Sequence, residues 1–256
     1  MVNNFEIDSE LIKKVRSLVS QKDKYYVERN RDFLIDYEED YHATVTDPDG
    51  KKRNMLDERE IFLSNTKEVT YFLSQCIPGK ILDFGCGLGW FLSSLNDEWT
   101  KHGLEISKFA SKYASQFGNI FNNDLNLYSE SDFDVVIMYH VIEHLKNPLD
   151  TIIQLKNKMK KGGKIIVGTP DFDSIAARIY QGNFRLIKDR GHISLFSTDS
   201  LIRLFRDLNF KILDIQYPYF ETSWYHPSVI NQLKNKSGEI SPPFYGSVIT
   251  IFCEKE

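Results

Sequence analysis

The sequence predicts an α/β protein whose mostly parallel sheet carries helices on both faces, with a helical cap ahead of it. Two observations predict this. From residue 80 onward short apolar strands alternate with amphipathic helices, the pattern of successive β-α-β crossovers. The first strand runs directly into a glycine-rich turn and then a helix, the arrangement that places a ligand at the carboxyl end of a sheet.

The elements follow in order. Lys80–Phe84 reads as a buried strand and Trp90–Leu95 as the start of a helix. Residues 102–106 form a second strand, and the spacing of Ala110, Tyr113, Ala114 and Phe117 predicts a helix over 108–117. A short third strand lies near Ile120 to Leu125. The fourth, Asp134 to Tyr139, is the most apolar run, as a central parallel strand should be. A helix over 148–160 leads through Gly162 and Gly163 into strand Lys164–Gly168. Ser197 caps a helix with Leu201, Leu204, Phe205 and Leu208 on one face. Strands Lys211–Tyr217 and Ser247–Cys253 end the chain; no strong helix signal separates them, which suggests an antiparallel pair.

Residues 1–78 differ in character and are expected to form a helical and hairpin cap on a domain spanning 79–256. They carry a helical pattern (Leu11, Ile12, Val15, Leu18, Val19), an aromatic stretch (Tyr25, Tyr26, Phe33, Tyr37, Tyr41) and a turn signal at Asp47-Pro48-Asp49-Gly50 after a possible strand at 41–46. A longer helix is expected from Leu56 to Gln75. The formal charge of −4 argues against general affinity for a nucleic-acid backbone. Cys76, Cys86 and Cys253 have no metal-ligand spacing and suggest reduced thiols. No apolar leader or bilayer-length run is visible, so a soluble, cytoplasmic chain is expected.

The chemistry concentrates in Leu82-Asp83-Phe84-Gly85-Cys86-Gly87-Leu88-Gly89. A dinucleotide fingerprint wants glycine three residues after its second one. That position here is Trp90, so a ligand without phosphates fits better. Glu105, 22 residues beyond Asp83 at the end of the second strand, suits the two hydroxyls of a ribose. Asn123-Asp124-Leu125 offers an acid and backbone groups for an adenine edge. Three such signals at successive strand ends make a nucleoside pocket.

The order LDFGCGLG, LEIS, NNDL, DVVIMYHVIEHLKNP and GGKIIVGTP, over about residues 79 to 170, resembles the motifs of class I S-adenosylmethionine (SAM)-dependent methyltransferases. The resemblance implies a Rossmann-like seven-stranded sheet of order 3-2-1-4-5-7-6 with strand 7 antiparallel. It implies SAM as cofactor and S-adenosylhomocysteine (SAH) as its product. Asp83, Gly85, Cys86, Gly87 and Gly89 would contact the methionine part, Glu105 the ribose, and Asp124 and Leu125 the adenine, with Ile106 also among the cofactor-binding residues. Tyr139 and His140 would complete the pocket. Within that family, Val141-Ile142-Glu143-His144 and Gly191 to Ser197 resemble small-molecule O-methyltransferases of quinone biosynthesis and relatives that modify sugars.

Histidine suits the removal of a hydroxyl proton near neutrality. His192 is the first candidate base and His144 the second. His140, Glu143 and His144 form an H-x-x-E-H pattern that invites a metal. The segment straddles a strand end, however, and metal-binding relatives carry a carboxylate where this chain has His140, so no metal ligand is expected. The expected partners are a small-molecule or glycan acceptor and a second copy of the chain in a homodimer, without nucleic acid or membrane insertion. A noncatalytic nucleoside-binding scaffold is the main rival. An NAD-dependent oxidoreductase, disfavoured by Trp90, and an RNA methyltransferase, disfavoured by the acidic balance, are weaker ones.

Overall fold

The computed structural model describes residues 4–30, 42–46, 50, 52–219, 222, 225–236 and 240–256. Seven strands form the central sheet: β1 (Lys80–Phe84), β2 (Thr100–Leu104), β3 (Asn119–Phe121), β4 (Phe133–Tyr139), β5 (Met159–Pro170), β6 (Phe210–Gln216) and β7 (Val248–Lys255). Their order is 3-2-1-4-5-7-6. Strands β1 to β5 pair in parallel, and β7 lies antiparallel to both neighbours, β5 and β6. This Rossmann-like order is the one the motifs implied.

Period-two alternation sorts the side chains between two cores, because successive residues of a strand point to opposite faces. Val136 and Met138 of β4 join Leu82, Ile165, Leu201, Leu204 and Phe205 on one face. Val135 and Ile137 join Val69, Leu73, Ile81, Leu92 and Phe252 on the other. A third core lies apart from these. Leu11, Ile12, Val15 and Leu18, from the helix Asn4–Ser17 and the turn after it, pack on Phe172, Tyr180, Phe184, Val229 and Leu233. The amino-terminal helix therefore packs on residues that follow β5 and β6 in sequence.

Four local readings needed revision. The expected helix over 56–75 is a 3-10 turn and two helices, Arg59–Asn65 and Lys67–Ser74, broken at Thr66 (φ −118°, ψ 35°). The Thr66 hydroxyl donates to the Phe62 carbonyl at 2.9 Å, a local bond that competes with helical propagation. The break lets Glu68 point inward, where its Oε1 accepts from the hydroxyls of Thr250 and Tyr139. The helix expected over 108–117 ends at Ala114. Strand β5 begins at Met159, and its glycines sit where the register with β4 shifts, Phe133 facing Met159 and Val135 facing Lys164. Finally, a helix, Pro227–Asn235, does lie between β6 and β7, capped by His226 and opened by Pro227. Among the described residues, no helix is long and apolar enough to cross a membrane.

Candidate active site

After β1 the chain turns through Gly85, Gly87 and Gly89, all at positive φ. At Gly85 a Cβ would meet Val141 Cγ2 at 2.4 Å, so glycine is required there for packing. At Gly87 it would meet only His42 Cε1, at 3.9 Å, which leaves the loop open on that side. Gly85 and Cys86 donate their N–H groups to the Leu104 carbonyl, at 2.8 and 3.1 Å. The Gly87 N–H donates to Glu105 Oε2 and the Ser107 N–H to Glu105 Oε1, each at 2.8 Å. Glu105 thus ties the glycine loop to the start of the next helix.

Asp83 is buried at the end of β1. Burial, reinforced by the charge of Glu105, pushes its carboxyl up to about 8. A cationic group set against Asp83 would restore its ionised form, so this corner favours a positively charged ligand. Burial also raises the Cys86 thiol well above its usual range, with Asp83 and Glu105 adding to the effect. That makes the thiol inert rather than nucleophilic.

The other cofactor candidates lie farther along the strand ends. Ile106 is 59% exposed and Asp124 is exposed, whereas Leu125 is buried in the core. Asp124 Oδ1 accepts from the Asn126 N–H at 2.8 Å and so caps the turn Leu125–Leu127. Asn122, the first residue of the NNDL motif and given no role there, bridges the same rim by donating to the carbonyls of Glu105 (2.7 Å) and Ile106 (2.9 Å).

A cavity of about 880 Å³ opens at the carboxyl ends of β1 and β4. Asp83, Gly85, Cys86 and Gly87 line one wall, and Tyr139, His140, His144 and His192 line another. Gly89, Glu105, Ile106, Asp124 and Leu125 do not face it directly. Its size falls within the usual range for small-ligand sites. The glycine loop, the buried acid pair and the cavity together fit a nucleoside ligand bearing a cationic end.

The far wall is a chain of hydrogen bonds. His140, at φ 56°, sets Nδ1 2.9 Å from Glu143 Oε1, and the Thr169 hydroxyl donates to Glu143 Oε2 at 2.9 Å. Burial opposes ionisation of Glu143. The hydrogen bond from His140 and the nearby imidazoles outweigh it and hold the carboxyl down at about 2. Burial, followed by the field of His192, lowers His144 to about 4, so its ring is neutral at neutral pH. The rings of His144 and His192 meet edge to face with centroids 4.8 Å apart. His192 Nδ1 lies 2.7 Å from the Leu186 carbonyl oxygen. A carbonyl only accepts, so Nδ1 carries the proton and Nε2 holds the lone pair of the neutral ring.

Glu143, His144 and His192 each offer a ligand-type atom, all within 4.8 Å of one another. This grouping replaces the H-x-x-E-H trio, because His140 spends Nδ1 on Glu143. Both Glu143 oxygens already accept from protein donors.

Sequence reasoning missed the residues that hold this wall. The Arg29 guanidinium, itself buried, donates to the carbonyls of Ile187 (2.8 Å), Asp189 (2.9 Å) and His192 (3.4 Å) and to Asp8 Oδ1 (2.8 Å). A two-residue strand, Val27–Glu28, pairs with Ser194–Leu195 beside it. Arg53, Arg185, Lys188 and Arg190 also line the cavity. Only the closeness of Lys188 and Arg190 to His192 could have flagged any of them. Of the aromatic stretch, Phe33, Tyr37 and Tyr41 lie outside the described residues. Tyr25 and Tyr26 do not face the cavity: Tyr25 donates to Asp207, and Tyr26 packs on Phe196.

A family model described as a methyltransferase domain matches residues 52–215. An uncharacterised protein of Methanocaldococcus jannaschii is 31% identical over 161 residues, 61% of this chain and 75% of that protein. A tRNA U34 carboxymethyltransferase of Glaesserella parasuis is 27% identical over 143 residues, 51% of this chain and 45% of that enzyme. The chain thus spans under half the length of that relative. Among solved structures, a plantazolicin methyltransferase in complex with SAH matches with a TM-score of 0.55 at 16% identity, covering 96% of this chain and 99% of that one. A possible histamine N-methyltransferase of Thermotoga maritima matches with a TM-score of 0.55 at 23% identity, covering 77% and 91%. Both likenesses concern the fold.

Proposed function

The chain belongs to the methyltransferase domain family, and we propose that it transfers a methyl group from SAM to a hydroxyl of a small molecule or glycan precursor. One observation carries this reading: a single cavity has the glycine loop and Asp83 on one wall and the His144–His192 pair on another. The structurally similar plantazolicin methyltransferase, in its complex with SAH, supports SAM as the cofactor.

SAM, when bound, supplies an already activated methyl on a sulfonium. The Asp83 carboxylate would hold the ammonium of its methionine part, and Glu105 and Ile106 the ribose. The backbone of Gly85, Cys86, Gly87 and Gly89 would underlie the methionine part. Asp124 and Leu125 would meet the adenine, with Tyr139 and His140 closing the pocket. The acceptor must then be aligned with the methyl and lose its proton. His192 Nε2 is the base: Leu186 fixes the tautomer, and Glu143 Oε1 at 4.0 Å and Asp189 Oδ2 at 3.5 Å lie beside the nitrogen that takes the proton. His144, kept neutral, borders the same point and is the second candidate. No metal enters this scheme. Residues 1–78 are read as part of the acceptor-side cap on a methyltransferase domain of residues 79–256.

An RNA acceptor is the second reading, favoured by the similarity to tRNA carboxymethyltransferases. Incubation with methyl-labelled SAM and, separately, fractionated small-molecule extract and total tRNA tests both. Label in a small hydroxyl compound, lost in His192→Ala, is the expected result. Label in tRNA alone would replace the first reading with the second, and SAH binding without transfer to any acceptor would favour a noncatalytic scaffold.

A further inference from the structure

The wall that carries His192 is also the positive wall of the cavity. Asp8 is fully buried, and among the described residues three cations share its carboxylate: Arg29 at 2.8 Å, Arg190 at 3.0 Å and Lys188 at 3.8 Å. Arg29 is turned inward and spends its N–H groups on the loop carbonyls. Lys188 and Arg190 keep 25% and 34% of their side-chain surface and line the cavity, as does Arg185 from the same loop. One carboxylate cannot neutralise three cations, so a positive field remains at the cavity face. Two further carboxylates, Asp189 and Glu143, stand beside His192, so on this wall four cations (Arg29, Arg185, Lys188 and Arg190) face three acids (Asp8, Asp189 and Glu143) and a positive excess remains, while Asp83 lies on the cofactor wall. This local excess stands against a chain whose formal charge is −4, which makes it a directed feature rather than a reflection of composition.

We propose that the methyl acceptor is an anionic small molecule whose phosphate or carboxylate group is held by Lys188 and Arg190, on the same cavity wall as the His192 base. Arginine and lysine together suit such a group: the guanidinium fork grips two oxygens while the ammonium adds a point charge. Anchoring the anion on the base's own loop presents a neighbouring hydroxyl to Nε2. The assignment rests on the reading of this cavity as a joint cofactor and acceptor site.

The test is calorimetry on the full chain. SAH affinity is measured first, and the SAH-loaded protein is then titrated with inorganic pyrophosphate and with malonate at constant ionic strength. Lys188→Met, Arg190→Gln and the charge-preserving Arg190→Lys are treated in the same way. The expected result is saturable one-to-one binding of at least one probe, with pyrophosphate preference marking a phosphate acceptor and malonate preference a carboxylate. That binding falls about tenfold or more in Lys188→Met and Arg190→Gln and partly returns in Arg190→Lys, while SAH affinity stays within about twofold. SAH binding without saturable probe binding, or equal probe binding in all variants, would overturn the proposal while sparing the cofactor reading. Probe binding to the unloaded protein without SAH binding would overturn the cofactor reading, and the methyl-acceptor assignment with it, and leave only an anion site. Salt-dependent binding of unfractionated tRNA that displaces pyrophosphate would overturn the small-molecule assignment.

Discussion

The two walls of the cavity are built in opposite ways. The proposed cofactor wall comes from one short stretch, residues 83–89, tied to Glu105 just past the end of the adjacent strand. Its partners are close in sequence, and its shape follows from glycines at positive φ. The proposed acceptor wall is assembled from distant pieces: Asp8 and Arg29 from the amino-terminal region, Glu143 and His144 after β4, and residues 185–192 after β5. The difference teaches that a binding wall can be a local motif, whereas a selectivity wall here is a tertiary product. The two should therefore fail separately.

The largest effect is expected on the acceptor wall. His192→Ala should lower kcat by about hundredfold or more, the usual contribution of a positioned base. SAH affinity, read by calorimetry, should stay within about twofold, because His192 touches none of the cofactor candidates. A parallel collapse of SAH binding would break the separation. Next comes the cofactor wall. Glu105→Ala removes the acceptor of two backbone N–H groups as well as the proposed ribose contact, and should weaken SAM and SAH by about tenfold to a hundredfold.

Asp8→Ala tests how the acceptor wall is held. It leaves Arg29 buried without its carboxylate, which should cost about 3 kcal/mol of stability and appear as a lowered Tm. A saturating concentration of SAH should restore part of that Tm, because the cofactor wall is untouched. An unchanged Tm would show that the Arg29 carbonyl contacts suffice alone.

The smallest effect is a proton count. Asp83 sits at about 8 in the free protein, so it is largely protonated at pH 7, and a cation placed beside it would ionise it. Binding of SAM at pH 7 should release a proton, measured in buffers of different ionisation enthalpy. The release should vanish below about pH 4, the unperturbed carboxyl range, where the bound site is itself protonated. The same raised value works against folding: its contribution to stability is full below the unfolded pKa of 3.8 and is lost as pH rises through about 8. Glu143 runs the other way, its contribution present above 4.5 and lost as pH falls toward about 2.

The comparison also explains what the sequence made legible. The strands and the glycine loop rest on period-two burial and on residues that need positive φ, both visible in a linear string, whereas the strand order came only through the resemblance of the motifs to a known family. The 56–75 helix was misread because Thr66 looks helical until its hydroxyl finds Phe62. The helix Pro227–Asn235 was missed although Pro227 stands at its start. Glu143 enters the sequence reading only as part of an H-x-x-E-H pattern, and in the fold it is a fully buried hub for His140 and Thr169. Asp8 and Arg29 carried no signal at all, since an acid and an arginine 21 residues apart announce nothing until the helix Asn4–Ser17 packs on Tyr180 and Phe184. Residues whose meaning is set by long-range packing lie beyond a reading by periodicity.

The most direct test of the central claim, that one cavity joins a cofactor wall to an independent acceptor wall, is a calorimetric titration with SAH of three proteins: the wild type, Glu105→Ala and His192→Ala. The account predicts micromolar binding to the wild type, essentially unchanged in His192→Ala and reduced at least about tenfold in Glu105→Ala. No saturable binding to folded wild-type protein, or equal losses in both variants, would contradict it.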